Sequence, residues 1–304
     1  MVARVCVVGS VNADLTFTVD ALPQPGQTVL ASALSTSPGG KGGNQAVAAA
    51  RSGAQVQLVA ALGTDAAAEH LRTHLQDNGV GLKGVTSVPG PSGSAAIIVD
   101  ANAENCIVVA PGANAHLSLT SAAVRSVVAD CDVVLIQLEI PVDTATVAAR
   151  VGRDAGAVVI VNASPAARPA EMTALAGLAD VVVVNETEAD AWLTEGRSPV
   201  PHLVITRGSR GASHLAGGER SDVTAPAVEA VDTTGAGDVF AGMLAAAWPD
   251  GVDYALRRAC AAGALATLVH GAGNCAPYSE AIDDILDARL EDRVDDDPTS
   301  PTRR

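Results

Sequence analysis

The sequence predicts a doubly wound α/β domain, a mostly parallel sheet flanked by helices, and three observations carry that expectation. Its strand-like runs are continuously apolar rather than alternating, as in parallel strands covered on both faces. Helix-like segments separate those runs at the spacing of strand–helix–strand units. Apolar residues make up 48% of the 304-residue chain while Phe, Trp and Tyr supply only 2%. The core must therefore be assembled from Ala, Val, Leu and Ile. The length suits one large domain with an accessory piece.

Strands are expected at 4–9 (RVCVVG), 56–62, 132–138, 158–163, 180–185 and 202–207. Helices are expected at 44–53, 65–79, 121–130 and 141–156, several ending in Gly as helix C-termini often do. A later helix reads from AGDVFAGMLAAAW (236–248), with Phe240, Leu244, Ala247 and Trp248 on one face. In such a fold the functional residues sit just past the C-terminal ends of the strands. Two regions break the rhythm, 15–38 and 94–110, which read as short strands without helices between them. They are expected to form a small antiparallel sheet, a lid whose apolar face needs a cover. The lid would close over a site, pair with another subunit, or both. The main domain is expected over 1–290, with the charged, Pro-containing stretch 291–304 disordered. No internal repeat is visible.

Thirty-four acidic residues against 19 basic ones leave a net charge of −15. That balance argues against a nucleic acid or an anionic membrane as partner, since both need a positive footprint. The five cysteines are scattered and never form C-x-x-C, which fits a reducing compartment and supplies no zinc pattern. The N-terminal apolar run is too short for a signal peptide, and no stretch approaches the roughly 20 apolar residues of a membrane span. A cytoplasmic location is expected.

The familiar phosphate loops are missing. The only lysines are Lys41 and Lys83, and neither completes G-x-x-x-x-G-K-[ST]. The first strand leads into VVGSVNADL rather than G-x-G-x-x-G. The remaining candidate anion site is VDTTGAGDVF (231–240), where Gly235, Ala236 and Gly237 let backbone N–H groups converge at a helix start. Asp238 in that first turn makes sense beside a phosphate if it faces a hydroxyl that must lose its proton. On this stretch alone, an ordinary helix-start acid after a plain turn accounts for it equally well. In SPGGKGGNQAVAAARSG, Gly39 and Gly40 permit close approach, while Lys41 and Asn44 supply donors. In GSVNADL, Asn12 and Asp14 alternate past a strand end and could hold adjacent hydroxyls, although both types also make turns.

GSVNADL, GGKGGNQAVAAAR, QLEIP, NETEAD, TRGSRGA and DTTGAGDVF occur in an order and spacing that resembles the ribokinase-like carbohydrate kinases from residue 4 to about 290. The resemblance implies ATP-dependent phosphorylation of a sugar, D-ribose at its 5-hydroxyl, with Mg2+ as cofactor and a monovalent cation, usually K+, as activator. It makes Asp238 the catalytic base and Gly235, Ala236 and Gly237 the anion hole. Asn12, Asp14, Gly39, Gly40, Lys41, Asn44 and Glu139 match sugar-side positions. Asn185 and Glu188 match the N-x-x-E motif that places nucleotide phosphates and Mg2+, the latter through water. Thr206, Arg207, Gly208, Ser209, Arg210 and Gly211 match the nucleotide loop, with Arg207 expected to offset triphosphate charge.

For the monovalent cation the matching positions are Asp232, Thr234, Ala266, Val269, Gly271 and Cys275. Cys275 departs from the serine common in the family, and a thiol is a poor ligand for a hard cation. Cys260 matches an adenine-side position only loosely and reads equally as a small buried hydrophobe. The six histidines share no metal spacing and are expected at the surface or in loops, and the Arg257–Arg258 pair is expected to be solvated. A homodimer through paired lids is also implied. Rival readings are kinases of fructose, 2-keto-3-deoxygluconate, deoxyribose, a nucleoside or a sugar phosphate, and a non-catalytic sugar- or nucleotide-binding regulator. Phe17 is the only aromatic residue in the lid segments, which disfavours stacking on a nucleoside base.

Overall fold

The computed structural model describes residues 2–102, 104–165, 169–193 and 198–295. Its strands are β1 (Arg4–Val8), β2 (Asn12–Thr18), β3 (Ala33–Gly39), β4 (Gln55–Leu62), β5 (Gly81–Ser87), β6 (Gly93–Val99) and β7 (Asn105–Ala110), then β8 (Val133–Gln137), β9 (Val158–Asn162), β10 (Val181–Asn185), β11 (His202–Thr206), β12 (Ala212–Ala216) and β13 (Glu219–Val223). Its helices are α1 (Lys41–Arg51), α2 (Ala66–Asp77), α3 (Ala122–Ala129), α4 (Val142–Asp154), α5 (Pro169–Ala176), α6 (Glu186–Ala189), α7 (Ala236–Ala247), α8 (Val252–Ala266) and α9 (Ser279–Asp295).

Among the described residues the main sheet has nine strands in the order β13-β12-β11-β10-β9-β8-β1-β4-β5. The pairings from β11 through β10, β9, β8, β1 and β4 to β5 are parallel, and only the β11–β12–β13 edge is antiparallel. Period-two alternation sorts the apolar strands onto two cores. Val5, Val7, Val133 and Leu135 face one, with α1, α7 and α8, whereas Cys6, Val8, Val134 and Ile136 face the other, with α3 and α4. This is why the strands read as unbroken apolar runs.

α7 is buried on every face from Asp238 to Ala247, beyond the single face expected for it. Small residues allow that depth. A Cβ added at Gly242 would lie 2.3 Å from Gln45 O, so α7 and α1 meet almost backbone to backbone. The second sheet, β3-β2-β6-β7, is the small sheet expected from the two regions given the lid role. Two of its three pairings are antiparallel, and the central β2–β6 pairing is parallel. α9 extends to Asp295, so the start of the stretch expected to be disordered is helical; residues 296–304 lie outside the described residues. Among the described residues no helix is long and apolar enough to cross a membrane.

Candidate active site

β1 pairs with β4 on one side and β8 on the other, so chain order switches direction there and opens a crevice beyond the strand ends. Of the expected sugar-side residues, Asp14, Lys41, Asn44 and Glu139 come together with Asp238. Ser10 donates its hydroxyl to Glu139 Oε2 at 2.6 Å, and the Lys41 backbone N–H reaches the same oxygen at 3.4 Å. Gln137 Nε2 donates to Ser10 Oγ at 2.9 Å, while Gln137 Oε1 accepts the Glu139 N–H. Glu139 is thus fixed across the switch point. Asn12 Oδ1 accepts from Asn114 Nδ2 at 2.8 Å, which fixes the orientation of the Asn12 amide.

Asp14 is buried, and its Oδ1 has no partner among the described residues. Burial first, then the charges of Glu139 and Asp238, push its pKa up to about 7. A buried carboxyl oxygen without a partner is an exception among folded proteins, where buried polar atoms are almost always hydrogen-bonded. The glycines around it are dictated by space. A Cβ at Gly39 would fall 2.0 Å from Asp14 Oδ2. At Gly40, φ is +84° and a Cβ would sit 2.6 Å from the Asn12 nitrogen.

Asp238 stands at the start of α7 with both carboxylate oxygens engaged. Asn44 Nδ2 donates to Oδ2 at 3.0 Å, and Gln45 Nε2 donates to Oδ1 at 3.1 Å. Burial raises the Asp238 pKa, against the opposing influence of the Lys41 charge and the Asn44 hydrogen bond. Lys41 is raised in turn, chiefly by Asp238. Gly235 caps the helix with φ +83°, a left-handed turn, and of the amides expected to form the anion cup that of Ala236 donates back to Thr233 O at 3.3 Å. No atom lies within 4 Å of a Cβ position at Gly237, so the mouth of this amide cup is open.

Two cavities meet at that mouth. One of about 160 Å³ runs from Lys41 and Asp238 past Gly235 and Gly237 to Asn185 and Glu188. The other, about 490 Å³ and mostly apolar, is lined by Gly208, Ser209, Gly211, Phe240 and Cys260. Thr206 and Gly237 border both. A path therefore leads from the carboxylate, across the amide cup, into a slot of nucleotide size. Asn185 and Glu188 form a capping box at α6: Asn185 Oδ1 accepts the Glu188 N–H at 2.9 Å, and Glu188 Oε2 accepts the Asn185 N–H at 3.0 Å.

Several expectations need correction. Arg207 does not line either cavity; Asp222 holds its guanidinium at 3.2 Å, so the charge expected to face a triphosphate faces β13. Arg210 is likewise off the cavity, paired with Glu186 at 2.5 Å. Arg258 is buried rather than solvated, bonded to Asp283 and Ser279 and set against the Tyr254 ring. His202 and His214 sit on strands and share a hydrogen bond of 2.9 Å beside Trp248. Cys260 is both a buried small residue and part of the slot wall.

At the expected cation site, Asp232 Oδ1 accepts the Thr234 N–H and Oδ2 the Gly271 N–H, each at 2.9 Å. Burial acts to raise the Asp232 pKa, but these bonds outweigh it and the pKa is lowered. The carboxylate thereby pins the 232–234 loop to the segment that carries Ala266, Val269 and Gly271. Cys275 Sγ donates to Ala272 O at 3.2 Å, and burial pushes its pKa up to about 11. The thiol is neutral, so any hard-cation site here rests on oxygen donors.

Ser10, Gln45, Asn114, Gln137 and Asn162 escaped sequence reading although they support the site. A signal existed for one of them: Asn162 ends the apolar strand VVIVN as Asn185 ends VVVVN. A polar side chain closing a buried parallel strand points into the crevice.

A family model for pfkB family carbohydrate kinases matches residues 2–278. A ribokinase of Bacillus subtilis is 36% identical over 292 residues, which covers 93% of this chain and 99% of the relative. A deoxyribokinase of Salmonella typhi is 32% identical over 303 residues, with coverage of 93% and 98%. The structure of Arabidopsis thaliana ribokinase complexed with ribose and ATP superposes with a TM-score of 0.85 at 30% identity, covering 94% of this chain and 99% of that one. With the open carboxylate-and-amide cup already in place, these matches make the chain a member of the pfkB family of carbohydrate kinases.

Proposed function

We propose that this chain transfers the γ-phosphoryl group of ATP to the 5-hydroxyl of D-ribose, giving ribose 5-phosphate and ADP. One observation carries the reading: the buried Asp238 carboxylate shares a cavity with Gly235 and Gly237 at the start of α7, and that cavity meets a nucleotide-sized slot at Thr206 and Gly237. Similarity to proteins named ribokinase over most of their length supports ribose as the sugar.

Asn12, Asp14 and Glu139 hold the sugar hydroxyls, and Gly39 and Gly40 let the backbone approach. Asp238 accepts the proton of the attacking hydroxyl, late if the transition state is loose. The first amides of α7 then meet the negative charge that spreads over the transferring group. Lys41 adds a positive charge from the opposite wall. Thr206, Gly208, Ser209 and Gly211 border the slot for the nucleotide.

Asn185 and Glu188 would hold hydrated Mg2+, which supplies charge neutralisation at the phosphates when bound. Glu188 fits that role because it is a hard oxygen donor on the cavity wall. Carbonyl groups of Asp232, Thr234, Ala266, Val269 and Gly271 would hold K+, close enough to the cup to stiffen it. The lid supplies a dimer surface. By strand alternation Leu15, Phe17, Leu34, Ile98 and Val108 share the face turned away from Asp14, and Leu34 and Val108 are exposed.

The test is ATP consumption over a panel containing ribose, 2-deoxyribose, fructose and a nucleoside, with and without Mg2+ and K+. Ribose should give the highest kcat/KM. Turnover of none of the sugars would sink the reading, and a preference for 2-deoxyribose would reassign the substrate.

A further inference from the structure

Gln45 is fully buried at the crossing of α1 and α7. Its Nε2 donates to Asp238 Oδ1 at 3.1 Å and to Asn162 Oδ1 at 3.0 Å. Both partners are bare oxygens, one of them a carboxylate, so the flipped amide would set oxygen against oxygen. The orientation that remains leaves Gln45 Oε1 buried with no donor among the described residues. A side chain present for packing alone would carry no such orphan. Asn162 is anchored in turn by donating Nδ2 to Val183 O at 3.3 Å.

This chain of amides does something that Lys41 cannot. A single donor leaves a carboxylate free to swivel about its own bond, whereas donors on both oxygens fix its plane. Asn44 holds one oxygen but belongs to the expected sugar contacts, so its hydrogen bonds change when sugar arrives. Gln45 and Asn162 hold the other oxygen from inside the core. We propose that Gln45, braced by Asn162, is a positioning residue that keeps the plane of the Asp238 carboxylate aimed at the reacting hydroxyl. The inference rests on the sugar-kinase reading above.

The titratable groups around Asp238 are Lys41 from α1, Glu139 beyond β8, Asp14 from β2 and Cys275, whose thiol is neutral. Lys41 favours the ionised carboxylate, while Glu139 and Asp14 oppose it. The Gln45 amide favours it without adding net charge.

The parent protein is assayed first with ATP, Mg2+ and ribose. Absence of turnover there overturns the reading and this inference with it. Profiles of kcat against pH are then measured for Gln45→Met, which keeps the shape and loses both donors. The acid limb should move up by about one pH unit, the size expected for one lost hydrogen bond to a carboxylate. At pH 7 kcat should fall about tenfold and the KM for ribose stay within about twofold, because binding geometry is untouched. A purely structural role would lower Tm without moving the limb. Gln45→Glu keeps the volume and sets a second carboxyl beside Asp238, which should move the limb further up. A limb within about 0.2 unit of the parent in either folded variant overturns the inference. So does failure of both to fold, which would make Gln45 a core strut.

Discussion

Asn44 donates its side-chain amide to Asp238 Oδ2 across 3.0 Å, which ties the glycine-lysine segment to the anion cup although 194 residues separate them. The two stretches that carry the family resemblance are therefore one piece of chemistry. Whatever moves α1 moves the Asp238 carboxylate.

Replacing Asp238 by Asn tests that chemistry directly. Asn offers one oxygen where Asn44 and Gln45 both donate, so one donor must face an NH2 group and lose its partner. The variant should lose about 10³-fold in kcat, within the range for a missing general base. Ribose affinity, measured by titration calorimetry, should stay within about threefold, since the sugar hydroxyls are held elsewhere. Turnover within about tenfold of the parent would remove Asp238 from the catalytic role.

Asp14 should make sugar binding depend on pH. Its folded-state pKa of about 7 lies above the ordinary carboxylate value. The folded chain therefore binds this proton more tightly than the unfolded chain does. That contribution to stability is complete below about pH 4 and lost as pH rises through about 7. A sugar hydroxyl donates to the ionised form, so ribose affinity should improve across pH 6 to 8, with release of a proton on binding. Asp14→Asn should raise Tm above pH 7, flatten the affinity profile and weaken ribose about 10- to 100-fold, the cost of a hydrogen bond to a charged group. A parent affinity that is flat between pH 6 and 8 would contradict the assignment.

Gly235 and Gly237, two residues apart, should fail in opposite ways when changed to Ala. At Gly235 the left-handed φ of +83° and a Cβ 2.8 Å from Ala272 Cα make the change a folding defect; a loss of about 1–3 kcal/mol in stability is expected. At Gly237 the Cβ meets no atom within 4 Å, so Tm should hold or rise slightly. The new methyl group would stand in the amide cup, and activity should fall through kcat and the KM for ATP. Thermal melts and kinetics on the same two samples decide it. A Gly237→Ala enzyme with parental kinetics would mean that the phosphoryl group lies elsewhere.

Much of this was legible in the sequence, for a physical reason. Parallel strands covered on both faces have no solvent positions to interrupt them, so β1, β8, β9, β10 and β11 stand out as apolar runs. The β12–β13 hairpin (ASHLA and ERSDV) did not. It lies at the sheet edge, where solvent replaces one apolar face and the pattern dissolves. Asp238 and Lys41 stood out because glycines crowd around each charged side chain, and the fold brings the two onto one cavity. Gln45 was not, since its partners lie 117 and 193 residues away and nothing local requires an amide there. Arg207 misled for the converse reason: its position fits a nucleotide loop, but only the folded hairpin reveals Asp222 as its partner.

Cys275 should be replaceable. Its neutral thiol donates to Ala272 O at 3.2 Å, a contact that a serine hydroxyl can also make. If carbonyl oxygens alone hold the activating cation, Cys275→Ser should leave the K+ concentration for half-maximal activation within about twofold. A tenfold tighter activation in the serine variant would mean that the side chain is a ligand and that this chain has a weakened site.

The lid face bearing Leu34 and Val108 should decide the assembly. Leu34 is 58% and Val108 62% exposed, and both lie on the face that also carries Leu15, Phe17 and Ile98. An exposed apolar sheet face of this kind needs a partner, and an identical face on a second copy is self-complementary about a two-fold axis. A carboxylate at its centre would be buried unpaired in such an interface. Leu34→Glu with Val108→Asp should therefore convert a dimer into a monomer by sedimentation equilibrium, with the main-domain fold intact by circular dichroism. The sugar-side residues Asn12 and Asp14 belong to β2 of the same sheet, so loss of the partner should also raise the KM for ribose while leaving the KM for ATP near its parental value. A parent that sediments as a monomer, or a double variant that remains dimeric, would move the interface away from the lid.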